Sequence, residues 1–472
     1  MKVAVLCEYR RGSSLRVITR CHDKNRIPDG EPSMPSHTTA FPSDSRLSIA
    51  IIGGGIGGVA FAVALSRFPD LDVQLFEAAP QFSEIGAGVS FGPNAVRAIQ
   101  RLGLEEAYRR IADSSAAPFE DVWFEWRRGS DDGYLTATLA PGCGQSSVHR
   151  ADFLDAIVSH LPAGIAHFGK RCVEVTQAEE GATAHFADGS SFTADILIGF
   201  DGIKSAVRNN VLPAEEHGEI APFWSGTYAY RGMIPTAQLE EALEGKGADR
   251  RLALVPQMYL GTDRHILTFP VKQSELINVV AFITDRSTAE PQLPAGEEWV
   301  QAVSQQEMLE VFADWGAASR AILECIPEPT RWALHELPEL PRYHRGRVLL
   351  VGDAAHALVP HQGAGAGQAL EDAYVLASLL GDETCRRDNV EQVLAAFEAV
   401  RHGRTCRVQR TSHEAGNVYE YAGEGIGDDE AKLIENLETR FDWLWNHDPE
   451  ADVAAARRVL AGENATVETA AG

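Results

Sequence analysis

Residues 47–77 leave few folds open to this chain. Leu47–Ile52 is an apolar run of strand length, and Gly53, Gly55 and Gly58 follow it at G-x-G-x-x-G spacing. Val59–Phe68 then reads as a helix, Val73–Phe76 as a second strand, and Glu77 stands at its end, 24 positions after Gly53. The spacing predicts a strand–turn–helix–strand unit. Gly53 permits the tight turn, Gly55 lets the backbone approach a pyrophosphate, and Gly58 lets helix pack on strand. A carboxylate at Glu77 fits a ribose diol and repels a 2′-phosphate. The pattern points to a dinucleotide.

Residues 352–367, Gly-Asp-Ala-Ala-His-Ala-Leu-Val-Pro-His-Gln-Gly-Ala-Gly-Ala-Gly, narrow the choice. A strand, Arg347–Val351, delivers Asp353 to a strand end, where a carboxylate accepts hydrogen bonds from ribityl hydroxyls. Pro360 stops regular structure, and the turn through Gly365 and Ala366 opens a helix. Main-chain N–H groups at a helix start suit the N1–C2=O edge of a flavin. A plain strand–Asp cap–helix junction is the competing reading. A third segment, Asp195–Arg208, holds a buried strand at Ile196–Phe200 and a turn at Asp201-Gly202. Ser205 and Arg208 are expected on the helix after that turn.

These three motifs, in this order, resemble the single-component FAD-dependent aromatic hydroxylases, the class A flavoprotein monooxygenases. The likeness spans about Leu47 to Glu414. Four further stretches are similar to salicylate hydroxylases and their fungal relatives: Glu84–Ala95, His149–Phe153, Tyr228–Gly232 and His265–Val271. The resemblance implies an α/β fold: a Rossmann-like FAD-binding domain of the glutathione reductase type, an antiparallel β-sheet substrate domain and C-terminal helices. It implies FAD as cofactor, NADH or NADPH as co-substrate, and O2 and a small aromatic as substrates. In such enzymes NAD(P)H reduces FAD, O2 adds at C4a, and the hydroperoxide attacks an electron-rich ring. If the attacked carbon carries a carboxylate, CO2 leaves; with salicylate the product is catechol.

The resemblance also assigns residues. The arginine matching Arg150 contacts the FAD phosphate or ribityl chain; a surface pair with Asp152 is the alternative. Asp201 and Arg208 join the cofactor set, Arg208 toward the pyrophosphate, and Gly88 is a close-approach glycine beside FAD. Tyr228 and Tyr230 share one strand face and Arg231 takes the other. Arg231 and Tyr230 are the catalytic candidates there, Arg231 by anchoring an acidic oxygen. Some relatives carry a histidine just before this pair, but Ser225–Ala229 has none. Phe269 replaces a tyrosine of some relatives and reads as packing, as does His356. His361, next to Pro360, is the candidate to take a phenol proton. No second G-x-G-x-x-G follows, so the nicotinamide is expected to bind transiently.

Composition sets the remaining bounds. The formal charge of −25 argues against nucleic acid or anionic membrane as partners. No apolar run approaches the ~20 residues that span a bilayer. Seven scattered cysteines without C-x-x-C suggest a reducing compartment, with no disulfide framework and no metal site. Residues 1–46 are basic and then Pro-rich, an extension with no part in catalysis. A cytoplasmic monomer or homodimer is expected, mitochondrial if that extension is a presequence. The domain reading is 47–215 with 340–395 for FAD, 216–339 for the substrate sheet, and 396–472 for C-terminal helices. Three readings compete: a flavin oxidase or dehydrogenase, a flavin-free prenylated-GTPase binder, or a hydroxylase of a hydroxybenzoate, hydroxynicotinate or polyketide phenol.

Overall fold

The computed structural model describes residues 46–83, 87–218 and 220–463. The extension before Arg46, the start of the Glu84–Ala95 motif and the tail beyond Glu463 lie outside the described residues.

Leu47–Ile52 is buried at all six positions and sits inside a six-stranded sheet. It pairs in parallel with Ile196–Gly199 on one side and Leu71–Phe76 on the other, Ile49 facing Ile196 and Val73. A strand apolar on both faces needs cover on both, which a parallel sheet with crossover helices supplies. Helix Ile56–Leu65 packs there beside helix Gly365–Leu380. Val348–Leu350 continues the sheet, within the predicted Arg347–Val351.

The second layer is an eight-stranded sheet. Its centre is Phe223–Pro235, Leu276–Thr284, Arg264–Val271 and Gln257–Gly261, all antiparallel. Val122–Arg128 and Tyr134–Leu139 extend it, and the Val122–Arg128 pairing with Gln257–Gly261 is parallel. Leu252–Pro256 is apolar enough for a strand, yet Arg250–Ala253 forms a 3-10 turn, its start fixed by the Asp249 carboxylate accepting from the Arg251 N–H. The strand begins at Gln257.

Helix Val390–Tyr419 is a single run of 30 residues. Leu433, Leu437, Phe441 and Leu444 recur at helical spacing, yet this region holds three helices: Glu430–Thr439, Asp442–Trp445 and Pro449–Leu460. Asp429 and Asp448 each cap a new start, and Pro449 suits a first turn. Leu433, Leu437, Phe441 and Trp445 still form one apolar face, packed with Trp123, Phe124 and Tyr419.

A buried ion network ties these helices to the flavin motif. Arg401 is fully buried, and donates to Asp372 (2.8 Å), Glu371 (2.8 Å), Asp452 (2.9 Å) and Gln368 (2.9 Å). Asp372 also accepts from His356 Nε2 (2.6 Å) and the Gly352 N–H (3.2 Å). Burial works to raise the Asp372 carboxyl; Arg401 and His356 outweigh it and hold it below its ordinary range. The Gly352-Asp353 turn is therefore clamped from behind.

Candidate active site

Between the two sheets lies a cleft of about 380 Å³. Its cofactor side is backbone. Gly53 has φ +111°, and a Cβ there would stand 2.3 Å from the Phe200 carbonyl oxygen; a Cβ on Gly58 would stand 2.1 Å from that of Gly53. No side chain fits either place, so chain passes chain at the turn. Gly55 precedes helix Ile56–Leu65, and Gly365 and Ala366 open helix Gly365–Leu380. All three line the cleft, as do Gly58, Gly88, Asp353 and Pro360. Two helix starts with unpaired N–H groups thus face one space, a setting that favours anionic and carbonyl oxygens.

Asp353 decides between cap and ligand. Its side chain is exposed to the cleft, and no hydrogen bond to it forms among the described residues. The short helix Asp353–His356 starts from Gly352 with no side-chain cap. The carboxylate is thus free to accept from a ligand.

Three predicted cofactor residues shape the turns from behind. Glu77 accepts from the Gly54 and Ala79 N–H groups, both at 2.7 Å. Asp201 Oδ2 accepts from the Ala206 (2.7 Å) and Val207 (3.2 Å) N–H groups, while its buried Oδ1 has no partner in the protein. Burial pushes this carboxyl up. The helix after it starts only at Arg208, so Ser205, expected on that helix, lies before it and caps the Arg208 N–H at 3.0 Å. Arg208 is buried and donates to the carbonyls of Ala354 (3.1 Å) and Ile203 (2.8 Å). It joins the Asp201 and Asp353 loops and does not line the cleft, contrary to the expected reach toward a pyrophosphate.

The substrate side is a strand face. Met258, Leu267, Val280 and Arg231 stand in one row across four strands, and Phe269 and Asn278 form the next. Trp123, Phe124, Tyr419 and Phe441 complete an apolar wall. Asn278 Oδ1 accepts from the Gly88 N–H at 3.1 Å, and a Cβ on Gly88 would meet the Phe269 ring at 2.6 Å. Strand alternation places Tyr230 on the opposite face. There its hydroxyl donates to Glu307 (3.1 Å) inside a separate apolar core, so the catalytic expectation for Tyr230 is corrected.

Arg231 faces the cleft over the Trp332 ring, 4.6 Å from its centroid. It forms no ion pair among the described residues, and its buried Nε has no hydrogen-bond partner. Burial, then the nearby Arg150, push this guanidinium down to about 10. Arg150 opens helix Arg150–Val158 as predicted and also lines the cleft; Asp152 pairs with His149 and Lys272. His361 lines the same cleft with its ring 5.2 Å from that of Phe282. Burial, followed by the neighbouring His265, His413, Arg286 and Arg440, holds His361 well below the ordinary histidine range, so it is neutral at physiological pH. The apolar wall and the residues behind His361 were missed from sequence. Alternation marked the right strand faces, but nothing in it told which face met the cofactor. Among the described residues no cluster of His, Cys, Asp or Glu fits a metal ion, and no helix is long and apolar enough to cross a membrane.

A family model described as FAD binding domain matches residues 46–275 and 282–412. A salicylate hydroxylase of Pseudomonas putida is 59% identical over 418 residues, covering 89% of this chain and 96% of the relative. A 6-methylsalicylate 1-monooxygenase of Aspergillus terreus is 38% identical, covering 86% and 90%. A solved substrate complex of a salicylate hydroxylase superposes with a TM-score of 0.82 at 50% identity, covering 88% of this chain and 98% of that one.

Proposed function

The chain belongs to the FAD-binding-domain family, the class A flavin monooxygenases, and we propose that its reaction is the decarboxylative hydroxylation of salicylate to catechol. Bound FAD supplies the redox and oxygen-transfer chemistry, with NADH or NADPH as the reductant. The protein supplies position, charge and a dry site.

The cofactor residues fit that group. The glycine turn at Gly53–Gly58 takes the pyrophosphate, with Glu77 beside the adenosine ribose. Asp353 takes the ribityl hydroxyls, and the N–H groups at Gly365 and Ala366 take the flavin N1–C2=O edge. Arg150 lies along the same wall, Gly88 and Pro360 border the ring, and Asp201 and Arg208 hold the loops.

One observation carries the substrate reading. Arg231 brings a cation without an acid partner, and His361 a neutral imidazole, to one apolar cleft. Salicylate presents a carboxylate and an ortho phenol, the two groups these side chains match. Arg231 pairs the carboxylate, and His361 accepts the phenol proton, which raises electron density on the ring carbon to be attacked. The apolar wall of Met258, Leu267, Val280 and Phe282 keeps water out and favours departure of neutral CO2 over retention of the anion.

Carboxyl-labelled salicylate tests the reading directly. Label should leave as CO2 in step with NAD(P)H oxidation, with catechol as product. A hydroxylated product that keeps its carboxylate would instead make the chain a hydroxybenzoate hydroxylase.

A further inference from the structure

His361 forms the wall between two spaces. On one side is the cleft; on the other is a second cavity of about 20 Å³, bordered also by Thr227, Thr284, Arg286, His413 and Glu420. A water needs roughly 10–15 Å³ of such space and two or more polar partners. This cavity offers room for one water, with hydroxyl, carboxylate and guanidinium partners. It adjoins a surface groove of about 620 Å³, which Thr284, Arg286 and His413 also border.

Behind His361 the polar groups are unusually placed. His265 is fully buried, and its Nδ1 donates to Glu420 Oε1 at 2.9 Å. Glu420, itself buried, accepts from Arg286 through its other oxygen. The rings of His265 and His361 have centroids 5.2 Å apart. His265 Nε2 and His361 Nδ1 are both buried with no hydrogen-bond partner in the protein. A buried ion pair is seldom more stabilising than apolar residues of the same volume. Two unpaired imidazole nitrogens beside it add cost. Stability alone therefore gives no reason for this arrangement.

We infer that Glu420 and Arg286, with the one-water cavity they border and with His265 hydrogen-bonded to Glu420 behind it, form a proton outlet from His361 to the surface groove. The inference rests on the assignment of His361 as the phenol's base. That base faces a difficulty the outlet resolves. Cations surround it: Arg286, which also pairs with Asp263; His413, raised by its hydrogen bond to Glu336; and Arg440. An imidazolium at His361 would be buried among them, so a proton taken from substrate must leave at once. The phenol O–H breaks and an N–H forms on the cleft side of His361. The proton on the other ring nitrogen then passes to water in the small cavity and out through the groove, and neutral imidazole is restored. One proton moves from phenol to solvent for each substrate bound. The Glu420 carboxylate, held by Arg286 and His265, stabilises the charge in transit. His265, Glu420 and Arg286 are positioning residues in this scheme; none touches the substrate.

The test mixes salicylate with FAD-loaded enzyme and follows proton release with an indicator dye, alongside salicylate Kd and the pH profile of kcat. Glu420→Gln removes the charge, and Thr284→Val removes a polar wall of the cavity with little change in shape. Each should slow release roughly tenfold or more and shift the kcat profile, with Kd unchanged, and Glu420→Asp should recover part of the rate. If His361→Asn slows release while Glu420→Gln and Thr284→Val leave it at the native rate, the outlet is refuted and the base stands. If His361→Asn itself leaves release unchanged, the base assignment fails and the outlet with it. Should Glu420→Gln not fold, Thr284→Val decides alone.

Discussion

Replacing Arg231 with methionine separates a substrate anchor from a structural cation, because the two roles predict opposite effects on the resting protein. The side chain stands against the Trp332 ring with no ion pair among the described residues. Burial and Arg150 push its guanidinium down to about 10. Each pH unit is about 1.4 kcal/mol, so the cation carries a penalty of about 3 kcal/mol in the resting cleft. Arg231 remains protonated at neutral pH, and a bound carboxylate offsets that penalty. Truncating one member of a buried charge pair typically costs about 2–5 kcal/mol, a range that contains this figure. Arg231→Met should therefore weaken salicylate binding by roughly 10²-fold, measured as Kd by flavin fluorescence titration. The substrate-free protein should melt at the native temperature or above it, because a desolvated charge has gone. Product formed per NAD(P)H should fall as H2O2 rises. In the native enzyme the affinity should decline as pH climbs through about 10, where the cation is lost. Native Kd and coupling in the variant, together with a lowered melting temperature, would refute the reasoning and return Arg231 to a structural role.

Two further outcomes follow from the cofactor side. Asp353→Ala should weaken FAD retention by about 1.5–3 kcal/mol, the value of a hydrogen bond to a charged group; full occupancy after gel filtration would mean that the exposed carboxylate touches no ribityl hydroxyl. Arg401→Met leaves Glu371, Asp372 and Asp452 facing one another in the interior. Breaking a buried pair costs about 3–5 kcal/mol, so denaturant unfolding should show a loss of that order, and a loss below about 1 kcal/mol would show that Arg404 and His356 suffice.

Much of the cofactor side was legible residue by residue. The strand Leu47–Ile52, its glycines and the helix after them are local: apolar period, φ and close approach are written in adjacent positions. Asp353 at a strand end and the helix start at Gly365 are equally local. Boundaries drifted where a cap outranked hydrophobicity. Arg250–Ala253 became a 3-10 turn because Asp249 caps it, and the helices Glu430–Thr439 and Pro449–Leu460 start where Asp429 and Asp448 cap them.

By itself the sequence determined that an FAD-type dinucleotide fold forms, which strand faces are apolar, and that Arg231 and Tyr230 point apart. Only the tertiary structure decided which of those two faces the cleft, because alternation is symmetric until a second layer covers one side. It also decided that Arg208 serves two carbonyls and not the cleft, since a long cation bonds whatever acceptor folding brings near. His265 and Glu420, 155 positions apart, meet behind His361 only when helix Val390–Tyr419 packs on the sheet. Periodicity records burial. It does not record the partner of a buried polar group such as His265 or Glu420.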